Sequence, residues 1–200
     1  VIDVSADFRF ATAAGYEAVY QHAHGAPQLL PQFVCAVPEH LNATDRPHVS
    51  HPGCFATAML MAAVPLLKLG ITEPDLFAVG ITGSTGAGRT PIPTTHHPER
   101  HSNLFAYQPL AHRHGPEVIG ICEHLTGVRP RLHFIPQSGP FARGIFTSVF
   151  VDLPREMTTA DVRAVFTEEF GDDPFVRLRA ETPQVAHVRN TNFCDIAVKA

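Results

Sequence analysis

HPGCFAT, residues 51–57, divides this chain and sets its reading. Pro52-Gly53 forces a tight turn, and the apolar run from Cys54 predicts a helix over 54–69, ended by Gly70. Upstream, 1–4 reads as a buried strand end, 5–7 as a polar turn and 11–24 as an irregular or helical connection. A second short apolar run covers 32–37, and Pro38 opens a turn or short helix. Downstream, a strand over 75–81 runs into a glycine loop, and 90–101 holds three prolines without periodicity and is expected to be extended. A helix is predicted over 116–125, apolar strand-like runs at 132–135 and 144–153, and a helix from the N-cap Thr158 to about Phe170. Strand-like pieces at 175–178, 185–188 and 193–198 finish the chain. The order is α/β passing into α+β, with a seam near residue 50 that separates 1–50 from 51–200.

Composition narrows the classes. Of 200 residues, 44% are hydrophobic and 17% charged, which excludes a disordered chain. The net charge is −4 and basic residues never form a run, so neither nucleic acid nor an anionic membrane is an expected partner. The longest apolar stretch, 55–67, is too short to span a bilayer and is broken by Pro65. Cys35, Cys54, Cys122 and Cys194 are scattered, with no C-x-x-C pair, which argues against a zinc ribbon or disulfide framework and suits a reducing cytoplasm. The opening VIDVSADFR has no Met and reads as though cut into a strand, so the chain is expected to be part of a longer protein.

Cys54 falls in the first turn of its helix, where free N–H groups and the helix dipole favour a thiolate. The setting resembles a nucleophile elbow with Cys in place of Ser; the bland alternative is a cysteine that caps and packs. A thiolate nucleophile needs an acid/base partner, and histidines cluster between His96 and His133 with His112-Arg113-His114 at their centre. His114 precedes the predicted helix, and Glu117, one turn on, is placed to orient it. Zinc binding is the rival reading, because on a strand His112 and His114 would share a face, although no third ligand follows at a recognisable spacing.

The loop GSTGAGRT, residues 83–90, matches a P-loop except that Arg89 replaces the lysine. A phosphate-holding helix must follow a P-loop, and Pro91 and Pro93 forbid one. The nucleotide-hydrolase reading therefore fails. Backbone N–H groups in such a loop can still line an anion or a cofactor ring, and a flexible surface turn is the alternative. Arg9, Arg89, Arg113 and Arg143 sit among apolar or small residues, where arginine clamps a carboxylate or phosphate or else pairs with an acidic side chain.

VIDVSADFR, HPGCFAT, GSTGAGR, FAYQPLAHRHGPE, FARGIF and TNFCDI together resemble, in that order, the N-acetyl-γ-glutamyl-phosphate reductases of arginine biosynthesis. The chain is also similar to the sister reductases that act on α-aminoadipyl phosphate held by an amino-group carrier protein in lysine biosynthesis, and HHPER at 96–100 leans toward that branch. Both belong to the semialdehyde dehydrogenase superfamily. The resemblance implies that 1–50 is the remnant of a Rossmann-type dinucleotide-binding domain and 51–200 an incomplete catalytic and dimerisation domain with a mixed sheet.

For chemistry, the resemblance implies an NADP-dependent oxidoreductase. Cys54 attacks the acyl phosphate to form a thioester, which NADPH reduces to the semialdehyde. It implies His114 as the acid/base, Arg9 as the phosphate holder, and Arg143 and His112 as positioning the substrate's carboxylate end. Ser84, Gly86, Ala87 and Gly88 would face the nicotinamide and its neighbouring phosphate. No metal is implied, and a homodimer or homotetramer is. The Gly-rich fingerprint of the cofactor domain is missing from these residues, so this stretch alone is expected to bind NADPH poorly. Two other classes compete: a cofactor-free cysteine hydrolase or acyltransferase, and a non-catalytic binding domain.

Overall fold

The computed structural model describes residues 1–41, 44–70, 74–153 and 156–200. Three parallel strands, β1 (Ile2–Asp3), β2 (Phe33–Cys35) and β3 (His48–Ser50), form a small sheet ordered β1-β3-β2. Its central strand was not predicted. His-Val-Ser carries too little apolar character to read as a strand, yet Ser50 is fully buried between its two neighbours. Helix α1 (Ala13–Tyr20), capped by the Thr12 side chain, lies between β1 and β2 in the chain. A 3-10 turn at Pro38–His40 follows β2, as expected.

The apolar run after Gly53 is helix α2 (Cys54–Leu67), close to the prediction. Phe55, Ala56, Met59, Leu60, Ala63 and Val64 are all buried, so this helix is hydrophobic on nearly every side and lies inside the molecule. Beyond it comes the main sheet, with strands β4 (Asp75–Thr82), β5 (Phe105–Ala106), β6 (Arg131–Ser138) and β7 (Ile145–Val151) in the order β5-β6-β4-β7. β4 pairs parallel with β6 and antiparallel with β7, which makes the predicted mixed sheet.

Period-two alternation sorts the two faces. Leu76, Ala78 and Gly80, with Phe134 opposite, face α2 and the core. Phe77, Val79 and Ile81 point the other way, beside His133, Ile135, Phe146 and Phe150, and Phe77 and Phe150 stay largely exposed.

Between strands, residues 90–101 are not uniformly extended. They hold a 3-10 turn at Pro93–Thr95 and a single-turn helix α3 (His97–Arg100), with Pro98 in a first-turn position that suits it. Helix α4 (His114–Thr126) starts two residues before the predicted 116, ends on left-handed Gly127, and packs on α2. Helix α5 (Thr159–Phe170) begins with the expected N-cap: the Thr158 hydroxyl accepts from the Asp161 N–H while the Asp161 carboxylate accepts from the Thr158 N–H. A parallel pair, β8 (Val176–Leu178) and β9 (Cys194–Ile196), lies at the end of the chain. The predicted strand at 185–188 is instead one helical turn, α6 (Val185–Val188). A four-residue apolar run fits either element, and here the Val185 side chain packs directly on Gly144. Among the described residues, no helix is long and apolar enough to cross a membrane.

Candidate active site

Cys54 is the first residue of α2, exposed, with Gly53 in extended backbone as its N-cap. The turn is gripped from below. The Gly53 N–H donates to Glu117 Oε2 at 2.8 Å. Arg9 in turn pairs with Glu117 Oε1 at 3.3 Å and donates through Nε to the His51 carbonyl at 3.1 Å. Glu117 is wholly buried, and burial is the largest influence on its carboxyl, raising its pKa; the Gly53 N–H and Arg9 pull it back down. The expectation that Glu117 orients His114 is therefore corrected. Its carboxylate holds the turn that carries Cys54, and Arg9 takes the ion-pair role rather than standing free for an anion.

His114 reaches that turn from the other side. A Cβ on Gly53 would lie 2.2 Å from His114 Nε2, so the imidazole lies directly on the residue before the thiol, in space that glycine alone leaves open. Nδ1 of His114 is buried and has no hydrogen-bond partner among the described residues. His112 and His114 lie in the turn and first residue of α4 rather than on a strand, which removes the shared-face geometry of the zinc reading. Among the described residues no group of three or more metal-ligating side chains gathers. His112 accepts from the His114 N–H at 3.2 Å, and its ring packs edge-on against those of His114, Phe55, Tyr107 and Phe134.

These surroundings set the protonation states. Burial, with His112 and two arginines nearby, pushes His114 down to about 3, and burial with Arg113 pushes His112 down to about 4. Both rings are neutral near pH 7. Cys54 departs from the lowered thiol expected of a helix N-terminus. Though the side chain is exposed, the protein around its sulfur withholds enough water to raise its pKa, against the pull of the Phe55 and Cys54 N–H groups and Arg9. Tyr107, which sequence reasoning passed over, is close enough to feel the Cys54 charge; burial first and that charge second raise it to about 12. Of the remaining cysteines, Cys122 is buried in the core and Cys35 and Cys194 are half-buried against it; burial raises Cys35 and Cys122 to about 12 and Cys194 to about 11. The free site thus holds a neutral thiol at Cys54 and a neutral imidazole against the preceding residue, Gly53.

The glycine loop folds as a 3-10 turn at Ser84–Ala87, as exposed as a surface turn. Five of its amides are already engaged. Gly83 N–H donates to Gly144 O, Ser84 N–H to Phe141 O and Thr85 N–H to Ala142 O, while Gly86 and Gly88 bond back within the loop. A Cβ on Gly83 would sit 2.3 Å from the Ala142 carbonyl, so this contact between loops requires glycine. Gly86, Ala87 and Gly88 then present an exposed edge nearly free of side chains. Arg143, expected to position the substrate's carboxylate end, lies in the 141–144 segment that bonds the glycine loop and lines a cavity of about 350 Å³ with Phe141, Val185, Ala186 and Arg189. Among the described residues, Arg143, Arg189, Arg89 and Arg113 are exposed and form no ion pair. Arg100, missed in the sequence, is buried and holds the segment that carries Arg143.

Fold and site together define a class. Residues 54–200 match the dimerisation domain of semialdehyde dehydrogenases, and the chain belongs to that family. Over 199 residues it is 35% identical to the N-acetyl-gamma-glutamyl-phosphate reductase of Dehalococcoides mccartyi, covering 98% of this chain and 58% of that protein. It is 37% identical over 206 residues to the [LysW]-L-2-aminoadipate 6-phosphate reductase of Deinococcus radiodurans, with the same two coverages. Among solved structures, aspartate semialdehyde dehydrogenase II from Vibrio cholerae superposes with a TM-score of 0.61 at 14% identity, over 95% of this chain and 58% of that one. The chain thus spans about 58% of the length of the curated relatives it matches.

Proposed function

We propose that this chain carries the thioester-forming centre of an acyl-phosphate reductase, acting on N-acetyl-γ-glutamyl phosphate. The observation that carries the reading is the His114 imidazole seated on Gly53, the residue before an exposed thiol at a helix N-terminus. His114, neutral at working pH, takes the Cys54 proton as the sulfur attacks the acyl carbon. The carbon–oxygen bond to phosphate breaks, phosphate leaves, and a Cys54 thioester remains. NADPH, when bound, supplies the hydride that reduces this thioester. The oxyanion so formed on Cys54 collapses to the semialdehyde as its carbon–sulfur bond breaks, and His114 returns its proton to the departing sulfur, which restores the resting thiol.

The exposed edge of Gly86, Ala87 and Gly88, nearly free of side chains, with Ser84 beside it, fits a flat nicotinamide ring. Because the amides of Ser84, Gly86 and Gly88 are engaged, it does not fit the neighbouring phosphate that the sequence suggested. Arg143, with Arg189 across the cavity, and the outer nitrogen of His112 position the carboxylate end of the substrate. Arg9 acts on the leaving phosphate through charge across the turn while it stays bonded to Glu117.

A second reading keeps the chemistry and changes the substrate to a carrier-bound aminoadipyl phosphate, favoured by the similarity to the Deinococcus radiodurans relative. Residues 1–50, with their own parallel sheet, form the end of the dinucleotide-binding domain, and 51–200 the catalytic and dimerisation domain. The outward apolar face around Phe77 and Phe150 packs against a second copy. A stoichiometry assay tests the activity: one phosphate released per NADPH oxidised supports reduction, whereas phosphate release without NADPH oxidation would establish a hydrolase.

A further inference from the structure

Arg100 ends α3 and is 8% exposed, yet among the described residues no carboxylate meets it. A buried guanidinium without a counter-ion is costly unless oxygen acceptors replace its water. Here the three acceptors lie on the last residue of β6 and the segment that leaves it. Nη1 donates to Ser138 Oγ at 2.7 Å, and Nη2 donates to the carbonyls of Gly139 and, at 3.1 Å, of Phe141. The Phe141 carbonyl has a second donor, the Ser84 N–H at 3.0 Å. One oxygen therefore joins the buried cation to the glycine loop. The adjacent rungs, Thr85 N–H to Ala142 O and Gly83 N–H to Gly144 O, extend the same seam.

We propose that Arg100 is the positioning residue of the glycine loop, fixing the height of residues 83–88 through the shared Phe141 carbonyl and so setting where the reducing ring rests. Held by the buried guanidinium on one lone pair, the Phe141 carbonyl keeps a fixed position for the bond that Ser84 makes to the other. Without the guanidinium, two carbonyls and a hydroxyl at the end of β6 lose their donor, and the loop loses its reference point. The proposal rests on the reading that this loop faces the nicotinamide. Arg100 touches neither Cys54 nor its turn, so the phosphate-releasing half of the reaction does not depend on it.

The test compares Arg100→Met and Arg100→Lys in the whole protein, with two readouts. Hydrogen exchange follows the Ser84 and Thr85 amides, and rapid kinetics separate the phosphate burst from NADPH oxidation. In Arg100→Met, exchange at both amides is expected to quicken by about tenfold or more, as the loss of charge-assisted bonds implies. NADPH oxidation is expected to fall by about tenfold or more while the burst keeps its amplitude and rate, and Arg100→Lys should recover part of both. Unchanged exchange at Ser84 and Thr85 overturns the positioning role. Faster exchange with unimpaired NADPH oxidation also overturns the proposal, by showing that the loop does not face the cofactor, and leaves the phosphate chemistry of Cys54 standing. Loss of burst and oxidation together in both variants assigns Arg100 to the fold as a whole and equally overturns it.

Discussion

Replacing Gly53 by alanine probes the contact on which the proposed active site depends. The new Cβ would lie 2.2 Å from His114 Nε2 and 2.6 Å from Cδ2 and Cε1. Carbon contacts settle near 3.5–4.0 Å, so ring or turn must move by roughly 1 Å or more. Neither moves easily. The Gly53 N–H is bonded to Glu117 at 2.8 Å, and the ring, 4% exposed, is flanked by His112 at 4.6 Å and Phe55 at 6.4 Å between centroids. Overpacking of this kind costs about 1–3 kcal/mol. At this chain length that lowers the melting temperature by roughly 2–12 °C. The larger effect is on rate, because an error of ~1 Å between nucleophile and base costs on the order of a hundredfold. Gly120→Ala, in the same helix as His114 with nothing within 4 Å of its Cβ, is the control; it should raise stability by up to ~1 kcal/mol and leave the rate alone. Thermal unfolding and single-turnover phosphate release measure both variants. A Gly53→Ala protein that melts and reacts like the parent would refute the placement of His114 on the Cys54 turn.

Two further outcomes follow from the same geometry. With His114 held near 3 and the Cys54 thiol raised, alkylation of Cys54 in the free protein should climb steadily with pH beyond 8, and a plateau reached near pH 6 would reveal a thiolate–imidazolium pair instead. A histidine whose pKa is depressed on folding adds stability above its unfolded value of 6.5 and loses it as pH falls toward about 3; melting temperatures should drop over that window, less steeply in His114→Asn. On the outer sheet face, Phe150 is 60% exposed opposite Phe77 at 47%, so Phe150→Asp should dissociate the assembly in sedimentation, and an unchanged assembly would mean that another surface joins the copies.

Local signals in the chain read out well where a short stretch decides its own structure. The Thr158–Asp161 capping box and the apolar run behind Pro52-Gly53 both appear where the sequence places them. Misreadings arise where distant contacts decide. Glu117 shares a helix face with His114, which suggested an orienting bond, but the Gly53 N–H 64 positions away takes the carboxylate. Glycines at 83–88 suggest free amides, and only the carbonyls of 141–144, brought across by the pairing of β4 and β7, reveal them as engaged. The 185–188 run turned helical because it packs on Gly144, a contact with no trace in its own residues. Arg100 looked like one charge in a proline-rich loop, and its proposed role comes from burial and from its bonds to Ser138, Gly139 and Phe141, all distant in sequence.

The central claim is that Cys54 is acylated. Mixing the whole protein with acyl phosphate in the absence of reduced nicotinamide, quenching in acid and mapping the peptides by mass spectrometry tests it most directly. The account predicts one acyl group on the Cys54 peptide, formed with release of one phosphate, lost in Cys54→Ala and slowed on the order of a hundredfold in His114→Ala. An acyl group on another residue, or reduction that persists in Cys54→Ala, would contradict it.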